Sequence, residues 1–128
     1  MILLVDLTWV SVFLAGGLGA LARFELGGVV LRRTGSGRPW GTVVVNLVGS
    51  LALGVVVGLG RRQAISPQTL EVVATGFLGG FTTFSTWMME TLDLVDGDTP
   101  AWSAATVNIA VVAVGGIAGF GLGLMLAS

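Results

Sequence analysis

Polar positions punctuate this chain at intervals the length of whole helices, leaving four long apolar runs between them. Arg32, Arg33, Arg38 and Pro39 follow the first run, Arg61 and Arg62 the second, and Asp96-Gly97-Asp98-Thr99-Pro100 the third. The runs predict helices over 3–31, 40–60, 67–95 and 100–127. Each is close to the ~20 residues needed to cross a ~30 Å hydrocarbon core. Arg23 and Glu25 interrupt the first, and Pro67 suits the first turn of the third. The connections leave no room for a soluble domain. The expected fold is all-α, one integral membrane domain of four spans.

The third run contains an irregularity. Gly79-Gly80-Phe81-Thr82-Thr83-Phe84-Ser85-Thr86-Trp87 lies near its middle. Adjacent glycines weaken a helix, and hydroxyl side chains offer hydrogen bonds to freed backbone groups. A helix broken near its middle is therefore expected. In hydrocarbon, such backbone survives only where protein buries it or where it lines a polar cavity. Phe81, Phe84 and Trp87 recur every third residue and are expected along one face. On the pattern alone two readings stand, an ion site and plain helix packing by small residues.

Composition agrees with a membrane chain. Of 128 residues, 54% are hydrophobic and 10% charged, against about 25% charged in soluble domains; mean hydropathy is +0.95. Cys, His, Tyr and Lys are all absent. That excludes disulfides and thiolate or imidazole metal sites, and it removes the commonest catalytic base and the Schiff-base amine. No enzymatic activity is expected. A net charge of −1 gives nucleic acid nothing to attract. Ala20-Leu21-Ala22 has the small residues of a signal cleavage site, but Asp6 stands where a basic region belongs, so no cleavage is expected.

Charge placement carries the second clue. With four spans, Arg32, Arg33 and Arg38 lie on one side of the membrane, and Arg61 and Arg62 on the other with both termini. Orientation follows Lys and Arg counts in short loops. Three against two, with the terminal amine nearly cancelling the difference, predicts insertion both ways up. Small residues recur at spacing four, as Ser50, Gly54 and Gly58 and as Gly115, Gly119 and Gly123. They predict close helix contact, within or between subunits. Two opposed copies would share a two-fold axis in the membrane plane. The third span's midpoint, near Phe81 and Thr82, falls at the depth of that axis. Carbonyls freed at two facing breaks would cage a small cation. Hydroxyl donors and electropositive Phe ring edges would suit a small anion nearby.

Three ordered motifs extend the reading: Gly16-Gly17-Leu18-Gly19-Ala20-Leu21-Ala22-Arg23-Phe24, Gly41-Thr42-Val43-Val44-Val45-Asn46-Leu47-Val48-Gly49-Ser50, and Gly76-Phe77-Leu78-Gly79-Gly80-Phe81-Thr82-Thr83-Phe84-Ser85-Thr86. Together they resemble the Fluc (CrcB) fluoride channels over the whole chain. The resemblance implies an antiparallel, dual-topology dimer in the inner (plasma) membrane. It would export cytoplasmic fluoride passively through two pores built between its subunits. It also implies a structural Na+ at the dimer centre, held by the backbone carbonyls of Gly79 and Thr82.

Other roles follow from the same resemblance. Asn46 corresponds to the pore-lining amide of the second span, with glue between membrane helices as the alternative. Phe84 corresponds to the first of two pore phenylalanines, and Thr83 to a hydroxyl that is either structural or pore-facing. Arg23 either draws anions into an aqueous vestibule or snorkels to the interface. Thr42 either caps the second span or offers fluoride a donor. The chain departs from the family at the second phenylalanine, which is Trp87 here. It departs again in the fourth span, where Asn108 and Val112 replace a frequent Tyr and Ser. These departures admit a modified homodimer or a heterodimer with a homologous subunit. A small proton-coupled multidrug exporter is the competing class. It needs a mid-membrane carboxylate, whereas Glu25, Glu71 and Glu90 lie towards span ends.

Overall fold

The computed structural model describes residues 2–35 and 37–128, with side chains from residue 7 onward. Among the described residues there is no strand. The helices are α1 (Ile2–Thr34), α2 (Trp40–Arg61), α3 (Pro67–Glu71), a π-helical segment (Val72–Leu78), α4 (Gly79–Phe81), α5 (Phe84–Asp93) and α6 (Trp102–Leu126). Three stretches, Leu7–Thr34, Trp40–Arg61 and Trp102–Leu126, are long and apolar enough to cross a membrane. This is a membrane protein. The third apolar run is divided into pieces, each too short to span a bilayer alone.

Local chemistry sets the helix ends. Beyond α1, Gly35 takes φ +82° and returns its N–H to the Leu31 carbonyl at 2.9 Å, while Arg32 and Arg33 lie in the last turn against the helix dipole. Ser66 caps α3 by accepting from the Thr69 N–H at 3.1 Å, with Pro67 as first helical residue. The Arg62 guanidinium donates to the Ala127 carbonyl at 3.2 Å and so covers a free acceptor at the end of α6. At the start of α2 the capping position is Pro39, with no side-chain cap, and Thr42 is buried inside the helix. Thr42 is therefore not the cap that one reading of the sequence expects.

Two glycine seams hold the helices together. α2 lies along α6, and the two predicted small-residue rows meet each other within one subunit. A methyl group at Gly54 would collide with the Phe120 carbonyl, and one at Gly123 with the Leu51 carbonyl. α1 lies along the π-helical segment and α4. There, a methyl at Gly19 would strike the Phe77 carbonyl, and one at Gly80 the Gly16 carbonyl. Such approach maximises van der Waals contact and permits Cα–H···O contacts, the forces available between helices in lipid. The buried apolar residues are mostly small, with Val45 the most enclosed. Phe13, Phe24, Ile117 and Met125 each stay at least three-quarters exposed, an apolar exterior that suits lipid or a partner.

The break sits slightly beyond the glycines. Gly79 is helical (φ −62°, ψ −38°), whereas Thr82 (−79°, 157°) and Thr83 (−147°, 124°) are extended. Gly80 serves the packing against α1, and the chain leaves the helix at the two threonines instead. This splits the expected aromatic row. Phe81 turns inward, buried and stacked on Phe77 at 6.0 Å, while Phe84 starts α5 and is 70% exposed.

Candidate functional site

The hydrogen bonds of the break define the site. In a continuous helix the Thr83 N–H would bond to the Gly79 carbonyl, and the Thr86 N–H to that of Thr82. Here the Thr83 N–H donates to Asn46 Oδ1 at 2.8 Å, and the Thr86 N–H donates to Thr83 Oγ1 at 3.3 Å. The donors that Gly79 and Thr82 would have received are thus diverted. Asn46 completes a clasp by donating from Nδ2 to the Thr83 carbonyl at 2.9 Å. The amide has two N–H bonds, so this clasp leaves it one more. Thr82 adds its own bond, from Oγ1 to the Leu78 carbonyl at 3.0 Å.

Asn46, Gly79, Thr82, Thr83, Phe84, Trp87 and Val112 line one cavity of about 310 Å³. The Phe84 and Trp87 rings meet in a T at 5.7 Å and 82°. Because Phe84 and Gly79 are exposed, the cavity opens on the surface of the chain. An adjacent cavity of about 670 Å³ brings Arg23, Thr42, Thr86 and Glu90 to the other side of Thr83. Arg23 is half-buried within it, and Glu25, two residues on, is exposed. Thr83 belongs to both cavities and also caps α5, so its hydroxyl has a structural task.

Asn108 lies elsewhere. It is buried behind Trp87 and lines a separate cavity with Arg38 and Ser103. The residues available to a bare cation at the break are the Gly79 and Thr82 carbonyls, neutral oxygen donors that suit a hard monovalent ion. For an anion the site offers the remaining Asn46 N–H and aromatic ring edges.

The family model described as "CrcB-like protein, Camphor Resistance (CrcB)" matches residues 10–124. The chain belongs to the CrcB family. A relative from Mycolicibacterium paratuberculosis named "Fluoride-specific ion channel FluC 2" is 45% identical over 88% of each chain. "Fluoride-specific ion channel FluC" of Geobacter metallireducens is 42% identical over 94% of this chain and 97% of its own. The protein of that name from Syntrophotalea carbinolica is 39% identical over 94% and 96%. This CrcB-family chain is not an enzyme.

Residue by residue, the fold gathers Asn46, Gly79, Thr82, Thr83, Phe84 and Trp87 around the break, and places Arg23 and Thr42 in the cavity next door. Three further residues are tied to the site only by the structure. Gly49 accommodates Thr82, whose methyl would collide with any side chain there. Glu90 reaches the Arg23 cavity, and among the described residues its Oε2 is the one buried side-chain oxygen or nitrogen lacking a hydrogen-bond partner. Thr91 bonds to both Trp87 and Asn108. Its position four residues after Trp87 is the one sequence signal that points to it.

Proposed function

We propose that the chain is the subunit of a fluoride-selective channel in the inner (plasma) membrane, through which cytoplasmic fluoride leaves passively and its toxicity falls. The single observation that carries this reading is the clasped break. It places one amide and two aromatic rings around a cavity that opens on the surface of the chain, midway along the third run. The relatives named as fluoride-specific channels supply the identity of the ion. In this reading 67–93 crosses the membrane as a fourth, broken span. Two subunits pair antiparallel within lipid, covering Gly79 and Phe84. The Gly79 and Thr82 carbonyls of both hold a structural Na+, which ties the two breaks together. Fluoride passes Asn46, Phe84 and Trp87, drawn in past Arg23, with Thr42 and Thr83 along the wall.

Val112 favours a second reading. It puts an apolar side chain into the cavity wall, as expected of one half of a heterodimer in which a homologous subunit supplies the missing polar group. Expression in cells stripped of their own fluoride export tests both. The homodimer predicts restored growth in fluoride with this chain alone. Rescue only on co-expression of a homologous partner selects the heterodimer, and no rescue in either case contradicts the channel.

Orientation gives a separate prediction. With loop Arg counts of three and two, two Lys residues added to one loop are expected to lock insertion one way up. A locked variant alone should lose flux, and co-expression with an oppositely locked variant should restore it. Cysteine labelling that finds wild-type chains in one orientation would overturn the antiparallel pair.

A further inference from the structure

Trp87 is the one aromatic in the site cavity that carries an N–H, and the structure assigns that N–H elsewhere. Indole Nε1 donates to the backbone carbonyl of Asn108 on α6 at 3.4 Å. Two shorter bonds brace this contact. Thr91 Oγ1 donates to the Trp87 carbonyl at 2.7 Å, and Asn108 Nδ2 donates to Thr91 Oγ1 at 2.8 Å. A threonine hydroxyl has one hydrogen, so Thr91 spends it on Trp87 and accepts from Asn108 with a lone pair. Thr91 and Asn108 are both 6% exposed, so water competes little for these bonds. The three residues link α5 to α6 immediately behind the Phe84 and Trp87 rings.

We propose that Thr91 and Asn108 are positioning residues that hold the Trp87 ring so that it acts in the cavity wall by its ring edge, with its N–H withdrawn to α6. This deepens the fluoride reading and rests on it. A free indole N–H would make a charge-assisted hydrogen bond to a dehydrated anion, a strong contact. Conduction needs sites that bind well enough to admit an ion and weakly enough to release it. A ring edge is the weaker electropositive group. The strut thus lets a Trp stand where a ring without a donor would otherwise serve, and it explains why Asn108 accompanies Trp87 although it lies outside the site cavity.

Thr91→Val keeps the volume and removes the hydroxyl. Fluoride flux should fall about tenfold in the Trp87 protein, the worth of roughly one buried hydrogen bond. The same change in a Trp87→Phe parent should alter that parent's flux less than twofold, and Thr91→Ser should restore the flux of the Trp87 protein. Equal losses in both parents would make Thr91 a general packing residue and overturn the proposal. A second readout is independent of transport. In a variant with Trp9, Trp40 and Trp102 replaced by Phe, the ultraviolet resonance Raman band sensitive to indole hydrogen bonding reports Trp87 alone. Thr91→Val and Asn108→Leu should both shift it towards the weaker-bonded position. An unmoved band would overturn the strut, even if the wild-type protein proved to carry no fluoride and the channel reading itself had failed.

Discussion

Asn46→Ala is expected to lower fluoride efflux by a hundredfold or more. The substitution strips both partners from Thr83, leaving a buried N–H and a buried carbonyl unpaired, at about 1–3 kcal/mol for each group. It also removes the remaining N–H that the anion would meet. The helices should persist, because the two glycine seams do not involve Asn46. Efflux traces from purified protein that keeps its wild-type elution volume check this. Asn46→Asp separates the two roles of the amide. It retains an acceptor for the Thr83 N–H, loses both donors and adds a negative charge in the anion's path, so flux should again collapse. Wild-type flux in folded Asn46→Ala would reduce Asn46 to a link between helices.

Single methyl groups on the glycine seams should produce the largest changes in stability. A Cβ at Gly19 or Gly123 would overlap a backbone carbonyl oxygen of the facing helix, and backbone cannot swing aside as a flexible side chain can. Forced overpacking typically costs about 1–3 kcal/mol, and occasionally more. Gly19→Ala and Gly123→Ala should lie at the upper end of that range or beyond. Gly121→Ala is the internal control, because nothing lies within 4 Å of a Cβ there, and alanine is the better helix former by about 0.8–1.0 kcal/mol. Thermal melts in detergent should rank wild type and Gly121→Ala well above the two seam variants. If all three alanine variants melt with the wild type, the seams do not hold the helices at this distance.

The long helices were legible because a lipid-crossing helix needs only a long, predominantly apolar run, a signal contained in the segment itself. The glycine rows were legible for a similar reason, although only the structure assigns both to one intramolecular seam between α2 and α6. The break was legible to within a few residues. Gly79 and Gly80 marked the neighbourhood, yet the choice of Thr82 and Thr83 depends on Asn46, 37 positions earlier than Thr83. A hydrogen bond over that separation leaves no local pattern. The π winding of Val72–Leu78, with the Gly79 N–H reaching back to the Ala74 carbonyl, lies against α1 and has no composition of its own. The Trp87 N–H was hidden in another way, since its partner is a backbone carbonyl and a backbone carbonyl exists at every position.

Efflux of fluoride and of chloride from liposomes containing the purified protein, with valinomycin and potassium releasing the charge balance, tests the central claim most directly. The channel reading predicts rapid release of fluoride down its gradient without any imposed proton gradient, no release of chloride above that of empty liposomes, and loss of the fluoride signal in Asn46→Ala. Fluoride traces that match protein-free liposomes, with and without a homologous partner subunit, would contradict it.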